Sequence, residues 1–474
     1  MSPSLWVTVE KFSQQAVWLV LFAILAPILG PRPYGLFAIV MVFIGFCEYV
    51  TVEAAAEALM GMDPLEPQHL RTATTCNLIV SILAGVVVFL SAPLFGRIFG
   101  DPQLGSLFRV LSILPGISAL TSAPTAALKR QMDFRPLAIR STLGLAIGGA
   151  GGVALALAGV GVWALVAQIL LQRTAEVVIL WIAAGRSAGA GFGWSRPHYE
   201  DLRVYAAHVL VSRSMTFLGG QVPRLIIGYF LGPVDLGLFS LATRFPDALA
   251  QVLIAPRASV ARIGLRRYRQ GEEALNGAFY RLLRDIAFIA FPVSIGAAAI
   301  ISLLISLWLD ARWQDGIVAA GLMFLAIPPQ VVFYASSAVL LALNHPREEA
   351  KISIVQNLSN ALLVLAAIPF GLNAVCAVTV FRLFLLMPYA AIRVSRVCAI
   401  PARAMAVAIG PLFALTVVMG AIVAAFSPVL VRAVGPHLAL AGLIAVGFGL
   451  YMALVGIFAP KDARHFLSHL TWVR

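Results

Sequence analysis

A succession of long apolar runs, with almost nothing polar between them, decides what this chain can fold into. A helix needs about 20 apolar residues to cross a bilayer. Marking such runs between glycines, prolines and charges predicts roughly fourteen spans. They lie at 10–29, 35–60, 74–95, 107–128, 137–159, 161–184, 204–230, 235–256, 276–306, 317–343, 350–370, 372–393, 404–426 and 433–458. The longest polar stretch between spans, 185–203, is too short for a soluble catalytic domain. Apolar residues make up 61% of the chain and charged ones 12%, against about 45–50% and about a quarter in soluble domains. A cytosolic enzyme, a disordered chain and a disulfide-rich secreted domain are excluded. The expectation is an all-α polytopic membrane protein. Its N-terminal stretch, Met1–Phe12, lacks a basic region and a small-residue cleavage site, so the first helix reads as retained.

Lys and Arg are held on the cytoplasmic side of a membrane by the potential and the anionic leaflet. With the N-terminus inside, 24 of the 34 cations fall in cytoplasmic segments. Only Arg32, Arg97, Arg109, Arg312 and Arg432 fall outside, and Arg173, Arg213, Arg224, Arg244 and Arg382 fall within spans. Both termini are therefore expected in the cytoplasm. The net charge of +13 is explained by this bias rather than by nucleic-acid binding.

An internal repeat organises the spans. Leu29-Gly30-Pro31-Arg32-Pro33-Tyr34-Gly35-Leu36-Phe37 recurs as Leu231-Gly232-Pro233-Val234-Asp235-Leu236-Gly237-Leu238-Phe239, 202 residues later, and places Lys11 on Arg213. Each copy joins the first two helices of a six-helix set. An even number of helices gives both copies the same orientation, so two six-helix lobes form a parallel pseudo-two-fold repeat. The expected segments are an N-lobe at 1–200, a C-lobe at 201–400, and two further helices with a cytoplasmic tail at 401–474. Two parallel lobes with a cleft suit alternating access better than a channel or an enzyme.

Ionisable groups inside spans carry the chemistry. Each costs about 2.5–3.5 kcal/mol at mid-membrane, so five arginines ask for about 12–18 kcal/mol of compensation. Arg173 with Glu176 and Arg244 with Asp247 sit at i,i+3 and can pair on one helical face. Arg213, Arg224 and Arg382 have no acid within a turn, so they face a carboxylate on another helix or a hydrated cavity. A guanidinium in such a cavity is suited to grip phosphate, because its fork of donors matches the oxygens in pairs. Glu48, Glu53, Glu57 and Asp247 either balance the arginines or couple transport to protons or sodium. Glu53 and Glu57 stack at i,i+4 and need cations, water or a proton between them.

The basic run Arg257–Arg284 and the loop Lys129–Arg135 anchor the topology on headgroups, or gather an anionic lipid-linked substrate. Cys47, Cys76, Cys376 and Cys398 lie far apart, and His465 with His469 lacks a third ligand, so no metal site is expected. No phosphate-binding P-loop, nucleophile elbow or HExxH motif is present, so neither ATP hydrolysis nor enzymatic catalysis is expected, and no cofactor is implied.

The two Leu-Gly-Pro hairpins, the loop Leu128–Arg135 and the run Gly159-Val160-Gly161-Val162-Trp163-Ala164-Leu165-Val166-Ala167-Gln168 resemble the polysaccharide transporter family. That family belongs to the multidrug/oligosaccharidyl-lipid/polysaccharide exporter superfamily. The likeness covers about residues 1–400. It implies a bacterial inner-membrane flippase for an undecaprenyl-diphosphate-linked oligosaccharide, serving exopolysaccharide, capsule or O-antigen synthesis beside a polymerase and a chain-length regulator. In such proteins a cationic cavity holds the diphosphate, and Arg213, Arg224, Arg244, Arg382 and Lys11 are the residues carried to that role. Family members often have an acid before the arginine of the seventh helix; Pro223 stands there instead, leaving a coupling role for that acid without its residue. Two other readings are a multidrug exporter, which needs an acidic cavity, and a membrane polysaccharide polymerase, which presents a sizeable periplasmic loop.

Overall fold

The computed structural model describes residues 3–53, 55, 56, 59, 66–184, 191–266 and 272–458. They are helical throughout, with no strand among the described residues. The chain divides into two compact units, Met1–Gly237 and Leu238–Arg474.

In the first unit, α1 (Pro3–Leu29) and α2 (Pro31–Glu48) are followed by α3 (Pro67–Ile98) and three short helices, α4 (Pro102–Leu111), α5 (Leu114–Ala119) and α6 (Ser122–Arg130). The paired helices α7 (Arg135–Leu157) and α8 (Trp163–Ala184) and the 35-residue α9 (Arg196–Phe230) complete it. Proline opens α2, α3, α4 and α9 at their first or second position, where its missing N–H costs nothing and its fixed φ suits the helix. The turn into α2 is made by Gly30 at φ 76°.

The second unit holds most of α10 (Gly232–Leu249), then α11 (Ala255–Leu265), α12 (Glu272–Trp308), α13 (Ile317–Phe324) and α14 (Ile327–Ala342). After these come α15 (Pro346–Ala367), α16 (Gly371–Cys398), α17 (Ala402–Val434) and α18 (Pro436–Phe458). Its core gathers Phe279, Ile286 and Phe291 of α12, Val331 and Val339 of α14, and Leu412 of α17, all essentially inaccessible. Tyr451 of α18 donates its hydroxyl to the Phe288 carbonyl at 3.1 Å, satisfying the one polar atom that the ring brings into the core.

Eleven helical stretches among the described residues are long and apolar enough to cross a membrane, or twelve if the pair bent by 42° at 311–324 and 327–342 is one span. The sequence reading has more because Pro346–Cys398 is a single continuous apolar stretch in this count, although a 3₁₀ turn (Ile368–Phe370) and Gly371 at φ 81° break it into α15 and α16. Helix α9 is not among the eleven. Outward faces are oily: on α3, Val87 and Leu90 are 65% and 71% exposed, with Ile79, Leu83 and Leu94 beside them. Such a surface is at home only in lipid, and the chain is a membrane protein.

The repeat is legible in the elements. Helix α2 runs into a π turn, Tyr49–Glu53, and α10 into another, Ala250–Ile254. Those turns start 201 residues apart, one short of the sequence shift. The two hairpins also meet within the first unit. A Cβ on Gly35 would overlap the Pro233 carbonyl, and one on Gly237 would overlap the Pro31 carbonyl. Each copy's glycine thus admits the other copy's backbone, which explains why the pattern needs glycine at that position rather than any small residue.

Candidate functional site

Inside the first unit lies a polar chamber of about 240 Å³, lined by Gly45, Glu48, Tyr49, Val52, Ala56, Ser118, Thr121, Ser122, Thr125, Lys129, Arg140, Arg173, Glu176 and Phe217. Among the described residues its charged lining is three cations against two carboxylates. Arg173 is the hub. It donates from Nη1 to Glu176 Oε2 at 3.0 Å and from Nη2 to Glu48 Oε2 at 3.4 Å. The i,i+3 pair expected on α8 is therefore present, and a second acid joins it from a helix 125 residues away.

Local sequence holds each member in place. Glu176 is 6% exposed and accepts a second bond from Gln172 Nε2 at 2.8 Å. It reaches that position because α7 carries Gly144, Gly148 and Gly152 in one stripe facing α8. A Cβ on Gly144 would stand 2.5 Å from Glu176 Cγ, one on Gly148 2.7 Å from Gln172 Cβ, and one on Gly152 2.8 Å from Gln168 Cβ. Small residues at i,i+4 let two helices close to this distance. Glu48, 9% exposed, ends α2 just before the π turn, a local widening that often marks functional positions. Ser118 Oγ donates to Glu48 Oε1.

The breaks at 112–113 and 120–121 bring Ser118 there. Breaking a helix leaves carbonyls unpaired, and here side chains take them. Asn77 Nδ2 donates to Ala119 O at 3.3 Å and to Ser122 Oγ at 3.1 Å, and Trp181 Nε1 donates to Leu120 O at 2.9 Å. The loop after α6 closes with Asp133 N donating to Leu128 O at 3.0 Å and Met132 at φ 58°, setting Lys129 at the chamber.

The other expected site residues are distributed. Lys11 is exposed on α1 and does not belong to this lining. The side chains of Arg213 and Glu53, and the whole of Glu57, lie outside the described residues, as do His465 and His469. Arg224 is half-buried on α9, directly after buried Pro223, and donates from Nη1 to Gln221 Oε1 at 2.9 Å. Arg244 is half-buried and Asp247 exposed on α10, with Asp247 in electrostatic reach of Tyr334. Arg382 is 5% exposed on α16 and donates from Nη1 to the Gln356 carbonyl at 2.7 Å. No carboxylate lies within ion-pair distance of it among the described residues.

The second unit has a chamber of its own, about 340 Å³, lined by Gln330, Phe333, Tyr334, Ser336, Ser337, Glu349, Ile352, Ser353, Gln356 and Leu383. Glu349 Oε1 accepts there from Ser353 Oγ at 3.1 Å and from Ser337 Oγ at 3.4 Å. Among the described residues no arginine or lysine lines it.

One further cluster was not expected from the sequence. Glu66, before α3, accepts from His198 Nε2 at 3.0 Å, and His69 Nε2 stands 3.6 Å from Asp201 Oδ2. The hydrogen bond from His198 holds the Glu66 carboxyl below its ordinary range. A signal was present in the spacing: Glu66 with His69 and His198 with Asp201 are both i,i+3 pairs at helix starts.

Residues 24–318 match the model of a family described as polysaccharide biosynthesis protein. The succinoglycan biosynthesis transport protein ExoT of Rhizobium meliloti (strain 1021) is 26% identical over 250 residues, 53% of this chain and 50% of that protein. The chain thus spans about half the length of that relative. The teichuronic acid biosynthesis protein TuaB of Bacillus subtilis (strain 168) is 21% identical over 345 residues, 72% of this chain and 71% of that protein. Among solved structures, the lipid II flippase MurJ in an inward closed conformation superposes with a TM-score of 0.76 at 12% identity, covering 96% of this chain and 98% of that one. That likeness establishes the fold. Because the family model covers well over half the chain and falls on the hairpins, loop and Gly-Val-Trp run described above, the chain belongs to this polysaccharide biosynthesis family.

Proposed function

We propose that this chain is a flippase that carries an undecaprenyl-diphosphate-linked oligosaccharide from the cytoplasmic to the periplasmic leaflet of a bacterial inner membrane, by alternating access. The names of the relatives (a succinoglycan transport protein and a teichuronic acid biosynthesis protein) and the fold of a lipid II flippase support the class. The reading keeps roughly fourteen spans in two parallel six-helix lobes with two helices after them, and both termini in the cytoplasm. It counts the bent pair as one span, α15 and α16 as two, and α9 as one. The lipid-linked oligosaccharide is the cargo, handed on to a polymerase and a chain-length regulator; membrane lipids are the solvent, and neither nucleic acid nor a cofactor takes part.

The observation that carries the reading is the chamber around Arg173, where Lys129 and Arg140 join it against Glu48 and Glu176. A diphosphate entering an apolar interior needs cations already fixed there, since ordering them afterwards costs entropy. Arg173 holds Glu176 at 3.0 Å and Glu48 at 3.4 Å, so Glu48 is the partner that a phosphate displaces. Glu48, once released, is the acid that a coupling cation, proton or sodium, neutralises. Glu53, Glu57 and Asp247 are the further acids proposed for coupling, and Arg213, Arg224, Arg244, Arg382 and Lys11 are the proposed grips along the path.

The test is polymer export in a strain that depends on this chain. Arg140→Ala and Arg224→Ala are expected to insert at normal levels, to stop export, and to leave lipid-linked oligosaccharide in the cytoplasmic leaflet. Unchanged export from stably expressed Arg140→Ala would remove the chamber from the mechanism.

A further inference from the structure

The first turns of α3 and α9 present a donor set that transport does not call for. Glu66 and His69 lie at the start of α3, and His198 and Asp201 at the start of α9. One ligand atom from each of Glu66, His69 and His198 lies within 4.8 Å of the others, and the two imidazoles meet edge to face with centroids 4.3 Å apart. We propose that Glu66, His69, His198 and Asp201 form a binding site for a divalent transition-metal ion of the zinc class.

Two imidazoles and two carboxylates are a donor set that zinc, cobalt and nickel accept and that magnesium and calcium do not favour. Bonds of about 2.0–2.1 Å to a tetrahedral ion separate neighbouring ligand atoms by roughly 3.3–3.4 Å. The His198 Nε2–Glu66 Oε2 distance is 3.0 Å and the His69 Nε2–Asp201 Oδ2 distance 3.6 Å, and ligand atoms of Glu66, His69 and His198 lie within 4.8 Å of one another, so the three draw together to hold the ion and Asp201 reaches it from His69. His198 is oriented as a ligand needs to be. Its Nδ1 lies 2.5 Å from Ser195 Oγ, which accepts a hydrogen bond from the Nδ1–H once Nε2 binds metal. His69 is 7% exposed, and its Nδ1 accepts from the Glu66 amide at 3.2 Å. Metal at His69 Nε2 moves the proton to Nδ1 and releases that amide to water at an exposed helix start. The bound ion ties the start of α3 to the start of α9.

The experiment uses the full-length chain without a purification tag, stripped with chelator and titrated in detergent with Co²⁺. One equivalent is expected to give the visible absorption of a tetrahedral site and to be displaced by Zn²⁺. Ser195→Ala, which leaves every ligand in place, is expected to weaken Co²⁺ binding by about 10–100-fold, and His198→Ala to abolish the absorption. Wild-type protein that gives no tetrahedral absorption overturns the proposal. So does absorption that survives His198→Ala and disappears in the His465→Ala, His469→Ala double variant, because it then belongs to the tail.

Discussion

Two arginines within predicted spans, Arg173 in the first unit and Arg382 in the second, live under different electrostatic conditions. Arg173 lies 12 residues after Gly161, the glycine at φ 63° before α8, and Arg382 lies 11 residues after Gly371, the glycine at φ 81° that opens α16. Arg173 reaches two carboxylates and opens onto a charged chamber. Arg382 is more deeply buried and donates to a single carbonyl, and the Nε of each arginine is without a hydrogen-bond partner among the described residues. Removing a partner from a buried ion pair strands the opposite charge, whereas an unpaired buried cation is itself the cost. The same residue type in the two units therefore does different work. In the first it organises acids; in the second it is a charge held in place by surrounding structure.

The largest expected effect comes from breaking the first arrangement. Arg173→Met leaves Glu48 and Glu176 in one chamber with Ser118 and Gln172 still donating to them and Lys129 and Arg140 in the same lining. It is expected to destabilise the protein by about 3 kcal/mol, the lower end for a broken buried pair, and to stop export. Thermal unfolding in detergent measures the first and polymer secretion the second. Adding Glu48→Gln and Glu176→Gln to that variant removes both stranded charges, and most of the lost stability is expected to return while export stays absent. Stability that does not return would mean Arg173 acts through packing rather than charge.

A smaller effect tests how Glu176 is delivered. Gly148→Ala drives a Cβ against α8, where Gln172 Cβ stands 2.7 Å and its N 2.9 Å away. Backbone must give, at a cost of about 1–3 kcal/mol, and α8 moves away from α7. Export should fall with stability. Gly220→Ala, at a glycine on α9 with open space around its Cβ, is expected to leave both within about 0.5 kcal/mol of wild type.

How much of this was legible in the chain depends on the reach of each contact. The apolar runs, the six-of-nine repeat and the Arg173–Glu176 pair rest on periodicity or on three-residue spacing, so the sequence alone displays them. Glu48 meets Arg173 across 125 positions, and Glu66 meets His198 across 132. Helix packing makes those contacts, and no local pattern encodes which helices pack. The stripe Gly144, Gly148 and Gly152 announces a close approach, yet only the fold names α8 as its partner. For Arg382 the sequence calls for a carboxylate or a cavity; the side chain donates instead to the Gln356 carbonyl, a main-chain group that side-chain inventory does not consider.

Arg382→Met is the smallest expected change in stability and the sharpest test of the comparison. Methionine fills the volume of the aliphatic stem and removes a cation that has no carboxylate within reach among the described residues. The Gln356 carbonyl already belongs to a helix and can do without the extra donor. Unfolding is therefore expected within about 1 kcal/mol of wild type, or at higher temperature, since replacing buried ionic groups by apolar ones is often neutral or stabilising. If export nevertheless stops, the charge is retained for the cargo at a cost in stability, which is the pattern of an ionisable group kept inside a membrane for function. A loss of about 3 kcal/mol would show instead that Arg382 has a carboxylate partner after all. The two halves would then share one electrostatic design, and the contrast with Arg173 would fall.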